Sequence, residues 1–358
     1  MRDPLLELSR LRALSAELGA DEMLVQAGGG NTSLKTESGL WIKASGTRLS
    51  DAESGDIFLF LPWDQLNRWS AGDGEVLMGL SPGGRNVRAS VETAMHLALP
   101  HRFVAHTHSV RGIRWLVCPD QTAELEQRLS GLHWARLPYV HPGRHLADAI
   151  RVAIDGRDID LLLLENHGLV FGADDSAELM RLISEVESRL DVAVRPICRA
   201  TSPSKGLALP GWVQQSDDVG MLSFDGDALR VASGGTLYPD HCVYLGPSVA
   251  VAPDFGGVPI ALTRYKECHG VDAKALFIYG TGAFLRESSS DEARAMLRCL
   301  VNVVNRIEPG MRLQYLPASQ VKSLMAWDAE EYRRKVAAET RENESYSGKN
   351  SLGTPLDR

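Results

Sequence analysis

Two apolar runs that each end on histidine constrain this chain more than any other feature. Residues 102–108 read as a strand closing on His106-Thr107-His108. Residues 159–165 read as a second apolar strand, followed by a tight turn at Asn166-His167-Gly168 and a further strand. On a strand, residues i and i+2 point to one face, so His106 and His108 project together, as two ligands of one metal must. A third ligand has to come from elsewhere, and His167 occupies a rigid strand–turn–strand. Three protein ligands with one open position is the pattern of a catalytic zinc site. A His-x-His pair alone is a weak signal, more often a pair of solvated or core histidines than a metal site.

The rest of the chain reads as alternating α and β. Leu5, Leu8, Leu11, Leu14 and Leu18 recur at helical spacing, and Gly19 ends that helix. A glycine-rich turn, Gly28-Gly29-Gly30-Asn31-Thr32-Ser33, precedes strand-like runs at 40–45 and 56–61. Residues 70–88, rich in glycine and charge, read as a loop. Ser90 can cap a helix running to about Leu99. Helices are expected over 143–154 and 174–197. The Ser/Pro/Lys/Gly stretch 201–206 is the best linker. Beyond it the chain reads as strand-rich, then helical over 290–307 and about 327–339. Residues 342–358 are polar and are expected to be disordered. The pattern over 161–190, strand, turn, strand, acidic cap, helix, echoes that over 274–303, with Thr281 where the first has His167. Chance similarity of two strand–helix units explains the echo as well as duplication does.

Composition narrows the class. At 358 residues and 44% hydrophobic content the chain can bury a large core, and roughly 100–200 residues per domain predicts two domains. We place them at 1–205 and 206–341. The formal charge of −8 argues against nucleic-acid binding. The 5 cysteines are scattered, without a Cys-x-x-Cys pair, so reduced thiols are expected rather than disulfides or a cysteine zinc site. Charges interrupt the apolar positions of the N-terminus, which does not read as a signal peptide. No apolar run reaches about 18 residues, so no membrane span and a cytoplasmic location are expected.

Five ordered motifs resemble the class II aldolase/adducin family: Gly30-Asn31-Thr32-Ser33; Ile42-Lys43-Ala44-Ser45-Gly46; Ser90-Val91-Glu92; His106-Thr107-His108; and Asn166-His167-Gly168. The likeness spans about residues 5–200. Its closest flavour is the aldolase half of bifunctional rhamnulose-phosphate aldolase/dehydrogenase proteins. The triple glycine carries that likeness, as does the Thr236-Leu237-Tyr238-Pro239-Asp240-His241 stretch. No Gly-x-Gly-x-x-Gly opens a helix after a strand, so the dehydrogenase half is missing.

The resemblance implies an α/β fold, an αβα sandwich with a mainly antiparallel central sheet, followed here by a smaller C-terminal α+β domain. It implies a zinc-dependent aldehyde-lyase working through a metal-stabilised enediolate on a sugar phosphate or sugar-acid substrate. His106, His108 and His167 would be the ligands of Zn2+, for which other divalent transition metals could substitute. Glu92 matches the acid/base carboxylate, which a helix start would keep ionised; an ordinary helix-start acid is the bland alternative. Asn31, Ser45, Gly46 and Ser90 match positions that hold the substrate phosphate. Lys43, on one strand face with Ser45, could add charge, as could Thr47 and Arg48. A plain tight turn is the alternative for the glycines. His96 matches a family histidine and reads as structural, as does His241 in its Pro-Asp-His turn. Family members commonly form tetramers, so a homo-oligomer is expected. Aldolases of this type protonate the aldehyde oxygen with a tyrosine, yet none lies between His108 and Pro138, and Tyr139 reads as structural. A second domain or second chain would then complete the pocket. An epimerase, a decarboxylase, or a non-catalytic adducin-like interaction module are the other readings.

Overall fold

The computed structural model describes residues 4–71, 76–195, 206–328 and 332. A nine-stranded sheet carries the first half. Its strands are β1 (Asn31–Lys35), β2 (Gly39–Lys43), β3 (Phe58–Pro62), β4 (Met78–Leu80), β5 (Asn86–Arg88), β6 (Phe103–Thr107), β7 (Trp134–Leu137), β8 (Leu161–Leu164) and β9 (Gly168–Ala173). They lie in the order β5-β4-β3-β2-β1-β6-β9-β8-β7. Every pairing is antiparallel except β7–β8.

The helices of this half are α1 (Pro4–Ala20), α2 (Trp63–Ala71), α3 (Thr93–Ala98), α4 (Val110–Leu116), α5 (Thr122–Arg128), α6 (Arg144–Ile154) and α7 (Ser176–Leu190). Alternation along each strand decides which helices cover which face. Leu169 and Phe171 of β9 point to one side, into a core shared with Leu11 of α1, Trp115 of α4, Leu125 of α5 and Ile183 of α7. Val170 points to the other, against Met95 of α3 and Ile150 of α6. The result is the expected αβα sandwich around a mainly antiparallel sheet.

The second half holds β10 (Trp212–Gln214), β11 (Ala250–Ala252), β12 (Ala275–Ile278) and β13 (Gly282–Arg286), ordered β10-β13-β12-β11. Its helices are α8 (Asp217–Gly220), α9 (Gly226–Ser233), α10 (Pro239–Leu245), α11 (Val258–His269), α12 (Asp291–Val304) and α13 (Ala318–Met325). The expectation of a strand-rich segment after the linker is corrected here. Among the described residues this half is more helical than extended, because its strands are short and prolines open α10 and α11 at their first turns.

The suspected echo is a structural repeat. In both sheets the last four strands pair antiparallel, antiparallel, parallel: β6-β9-β8-β7 against β10-β13-β12-β11. Both sequences run strand, helices, strand, helix, hairpin, helix. Burial follows suit. Leu163 and Phe171 face the α7 core, and Phe277 and Leu285 face the α12 core. Leu162 and Val170 face α6, and Leu276 and Phe284 face α11.

Three element expectations need correction. The supposed loop over 70–88 contains the β4–β5 hairpin, at the sheet edge. Its Gly79 is there for close approach, since a Cβ would sit 2.4 Å from Leu59 Cδ1. Ser90 does not cap α3, which begins at Thr93 behind Glu92; the Ser90 hydroxyl instead accepts the Glu92 N–H at 3.3 Å. The helix expected to reach 197 stops at Leu190, where the Trp115 indole donates to the Leu190 carbonyl at 2.8 Å and Arg128 to that of Arg189 at 2.9 Å. Residues 196–205, and with them the domain boundary and most of the linker, lie outside the described residues, as do most of the helix expected over 327–339 and the tail 342–358.

Candidate metal centre

The centre forms where β1, β6 and the β8–β9 turn meet. β6 pairs with β1 on one side, placing His106 opposite Asn31, and with β9 on the other, placing His106 opposite Val170. His108 follows β6 by one residue and precedes Ser109, whose hydroxyl caps α4. The turn that carries His167 is held open by Asn166 in a left-handed conformation, φ 51°, which asparagine tolerates better than most residues.

The sequence therefore brings its three histidines together. Ring centroids of His106 and His108 are 4.8 Å apart, as are those of His106 and His167. The Nε2 atoms of His106 and His108 face each other at 3.0 Å. Glu92 closes the group, with Oε1 at 3.5 Å from His106 Nε2 and 3.2 Å from His167 Nε2. All four side chains are buried, and one ligand atom from each lies within 4.8 Å of the others.

The donor chemistry fits a divalent metal ion. Bonds of 2.0–2.1 Å to tetrahedral zinc put two imidazole nitrogens about 3.3 Å apart, close to the spacing found. Glu92 Oε1 is buried and no hydrogen-bond donor is aligned on it, an expensive arrangement that a cation in the same space would relieve. Nδ1 of His106 meets the Leu169 carbonyl at 2.9 Å. That acceptor takes the ring N–H and leaves Nε2 free for a metal.

Charge is arranged to match. Burial raises the Glu92 carboxyl, but His106, His167 and His108 nearby outweigh it and hold the group well below the usual carboxylate range. Burial drives His106 down to about 3 against the pull of Glu92. At neutral pH the consistent state is an anionic Glu92 beside a neutral His106. A helix dipole is not what ionises Glu92, because α3 has only six residues. Its Oε2 is held by the Asn31 amide at 2.7 Å.

The other sequence candidates divide into two groups. Asn31 and Ser90 stand in the centre, where the Asn31 amide bonds both Glu92 and the Ser90 hydroxyl, the latter at 3.2 Å. His96, at 0% exposure, hydrogen-bonds Ser33 at 2.7 Å and the Asn31 side chain. It braces Asn31 and is not among the grouped ligands. Ser45 and Gly46 follow β2 in a buried turn next to Ser90, joined through an Ala44–Ala89 bridge and a Ser45 N–H to Arg88 carbonyl bond of 2.9 Å. Gly46 adopts φ +81°. The Lys43 ammonium donates to the carbonyls of Gly28 at 2.8 Å and Thr47 at 2.7 Å. It ties the glycine turn to the 44–47 turn. Arg48 pairs with Glu292 of the second half at 2.8 Å.

One site residue escaped the sequence reading. Asp240, at the first turn of α10, is 2% exposed, and its Oδ2 lies 3.0 Å from His108 Nδ1. The Pro-Asp-His motif was visible, but nothing in the sequence sets residue 240 against residue 108. The pocket therefore draws on the second half of the same chain.

A family model described as the class II aldolase and adducin N-terminal domain matches residues 9–194. A protein of Bacillus subtilis (strain 168) described as the uncharacterized oxidoreductase YuxG is 29% identical over 195 residues, 49% of this chain and 28% of its own length. The matched stretch is thus less than a third of that relative. Among solved structures, the N-terminal class II aldolase domain of a conserved Thermoplasma acidophilum protein is 26% identical. It covers 51% of this chain and 92% of its own, with a TM-score of 0.43. The L-fuculose-1-phosphate aldolase of Thermus thermophilus is 21% identical, covering 51% of this chain and 93% of its own, with a TM-score of 0.36. Among the described residues no helix is long and apolar enough to cross a membrane.

Proposed function

The chain belongs to the class II aldolase and adducin family, and on that premise we propose that it is a zinc-dependent aldehyde-lyase acting on a sugar phosphate or sugar-acid substrate. The observation that carries this reading is the buried Glu92–His106–His108–His167 cluster. A scaffold module has no physical need for a carboxylate buried among three imidazoles, whereas metal-assisted proton transfer beside a carbonyl has a use for all four.

His106, His108 and His167 would hold the ion through Nε2. A divalent ion so held supplies a Lewis acid for the adjacent carbonyl and hydroxyl oxygens of the substrate. Glu92 moves the carbon-bound proton: Oε2 is fixed by Asn31 at 2.7 Å, which leaves Oε1 as the basic oxygen facing the cluster. The hydroxyls of Ser45 and Ser90 and the backbone N–H of Gly46 offer neutral donors to the substrate's anionic group. Lys43 acts there through the glycine turn it anchors. The acid for the aldehyde oxygen would come from a second subunit of a homo-oligomer, a tetramer by family habit. The lack of a tyrosine between His108 and Pro138 favours one second reading, an epimerase or decarboxylase that shares the proton step.

Turnover of a panel of ketose 1-phosphates and 3-keto-acid phosphates by the zinc-loaded protein tests the reading. Glu92→Gln keeps the shape and removes the titratable group. Its turnover should fall by about 10²–10⁴, the usual worth of a positioned acid/base, with zinc still bound. Solvent exchange of the substrate's carbon-bound proton should fall in parallel. Normal turnover in this variant would reduce Glu92 to a helix-start acid.

A further inference from the structure

A histidine that binds metal through one ring nitrogen needs an acceptor on the other, which fixes tautomer and ring orientation. His106 has the Leu169 carbonyl. For His108 the group nearest that place is the Asp240 carboxylate, contributed by the second half of the chain, whose Oδ2 lies 3.0 Å from Nδ1, within reach of the ring N–H although the two are not aligned as a hydrogen bond. The approach is built into the backbone. A Cβ on Gly29 would lie 2.8 Å from His108 Nδ1 and 2.9 Å from Asp240 Oδ2, so any larger residue would separate the two.

The same segment reaches the other arm of the cluster. The carbonyl of Leu237 accepts the Asn166 amide at 2.9 Å, in the turn that carries His167. Gln314, also in the second half, fastens Asn166 twice more, accepting at its carbonyl (2.7 Å) and donating from its side chain (3.1 Å). Residues 237–240 thus touch both segments that bring histidines to the centre.

We propose that Asp240 is a positioning residue for the metal centre: it takes the Nδ1–H of His108, turns Nε2 toward the ion, and makes tight metal binding a property of both halves together. This rests on reading the cluster as a metal site. No atom of Asp240 needs to touch the ion or the substrate.

The test uses the full chain, stripped of metal and titrated with Zn2+ against a chromophoric chelator. Asp240→Ala should weaken Zn2+ binding 10–100-fold, the range for removing such an outer partner. Asp240→Asn should fall between, because an amide oxygen still accepts the ring N–H. Gly29→Ala, which attacks the contact from the opposite side, should weaken binding as well. With Co2+ in place of Zn2+, the visible absorption of Asp240→Ala should shift, since the ligand ring is no longer held in one orientation. Thermal unfolding of metal-free Asp240→Asn should match wild type. Wild-type Zn2+ affinity and Co2+ spectrum in both Asp240 variants would overturn the proposal. If Asp240→Ala does not fold, Asp240→Asn decides alone by the same criterion. A wild-type chain that binds zinc but turns over nothing in the panel sinks the lyase reading and leaves this one standing. Unchanged metal binding in the variants, with turnover in wild type, does the reverse.

Discussion

The units β6–β9 with α7 and β10–β13 with α12 share strand order, pairing sense and burial pattern, yet only one carries the histidines. Their registers allow a residue-by-residue comparison. His106 faces Val170, two places after Gly168, and Gln214 faces Phe284, two places after Gly282. Gln214 therefore stands where His106 stands, Ser216 where His108 stands, and Thr281 where His167 stands. The apolar positions agree throughout: Leu179, Ile183, Val186 and Leu190 of α7 are buried, and so are Ala293, Leu297, Leu300 and Val304 of α12. The fold depends on the buried alternation and helix stripes, which both units keep. The ligands sit at the end of β6, just after it, and in a turn, outside the apolar alternation and helix stripes that set the fold. Shared topology therefore says little about chemistry. The second unit's contribution to the centre comes from elsewhere, from α10 and its Asp240.

The largest contrast is in metal binding. His167→Ala removes one of three imidazoles and should abolish stoichiometric zinc, measured by metal analysis after gel filtration. Thr281→Ala at the matching turn removes a part-exposed hydroxyl whose recorded bond is a 3.3 Å contact to the Tyr279 carbonyl. It should leave zinc content untouched and stability within about 0.5 kcal/mol. Zinc loss in Thr281→Ala would mean the second unit has a role in ligation that its residues do not suggest.

The next contrast concerns cooperativity. Phe171 and Leu285 occupy matching buried positions, and truncation to alanine should cost about 3–5 and about 2–5 kcal/mol respectively. Val110 and Ile113 of α4 belong to the same buried core cluster as Leu300 and Val243 of the second half. The halves share apolar surface, so denaturant should unfold both variants in one transition, detected alike by far-UV circular dichroism and tryptophan fluorescence. Separate transitions, with only one moved by each substitution, would show two independent bodies.

What the sequence disclosed follows the range of the interactions involved. Strand periodicity, the Asn-His-Gly turn and the i, i+2 spacing of His106 and His108 are local, and they placed the cluster correctly. Glu92 was found through its motif rather than through spacing, since residue 92 meets residues 106 and 167 only in the folded sheet. Residue type suits Ser90 to a helix cap and Lys43 to an anion, but it does not show where either side chain is anchored. Their actual partners, the carbonyls of Gly28 and Thr47 for Lys43 and the Asn31 amide and Glu92 N–H for Ser90, depend on loop paths that no pattern encodes. Asp240 was hidden for the strongest version of the same reason, lying 132 residues from its partner His108.

The smallest effect tests whether the two turns have become specialised, through a reciprocal exchange. Asn166 and Gly280 hold the same place before His167 and Thr281, with φ of 51° and +65°. If geometry were all that mattered, glycine would be the better residue at both, because only glycine adopts this region without strain. Asn166→Gly should relieve that strain but strip the amide that donates to the Leu237 and Gln314 carbonyls. Losing donors to buried carbonyls costs about 1–3 kcal/mol, more than the relief, so stability should fall by about 1–2 kcal/mol. Zinc affinity should fall too, because the His167 turn is no longer tied to the second half. Gly280→Asn places a Cβ in open space, with no heavy atom within 4 Å, and asparagine is among the residues that enter this conformation most readily. It should cost less than Asn166→Gly does and leave zinc alone. Equal costs in the two variants, or an Asn166→Gly protein with full stability and zinc affinity, would show that the turns differ only in sequence.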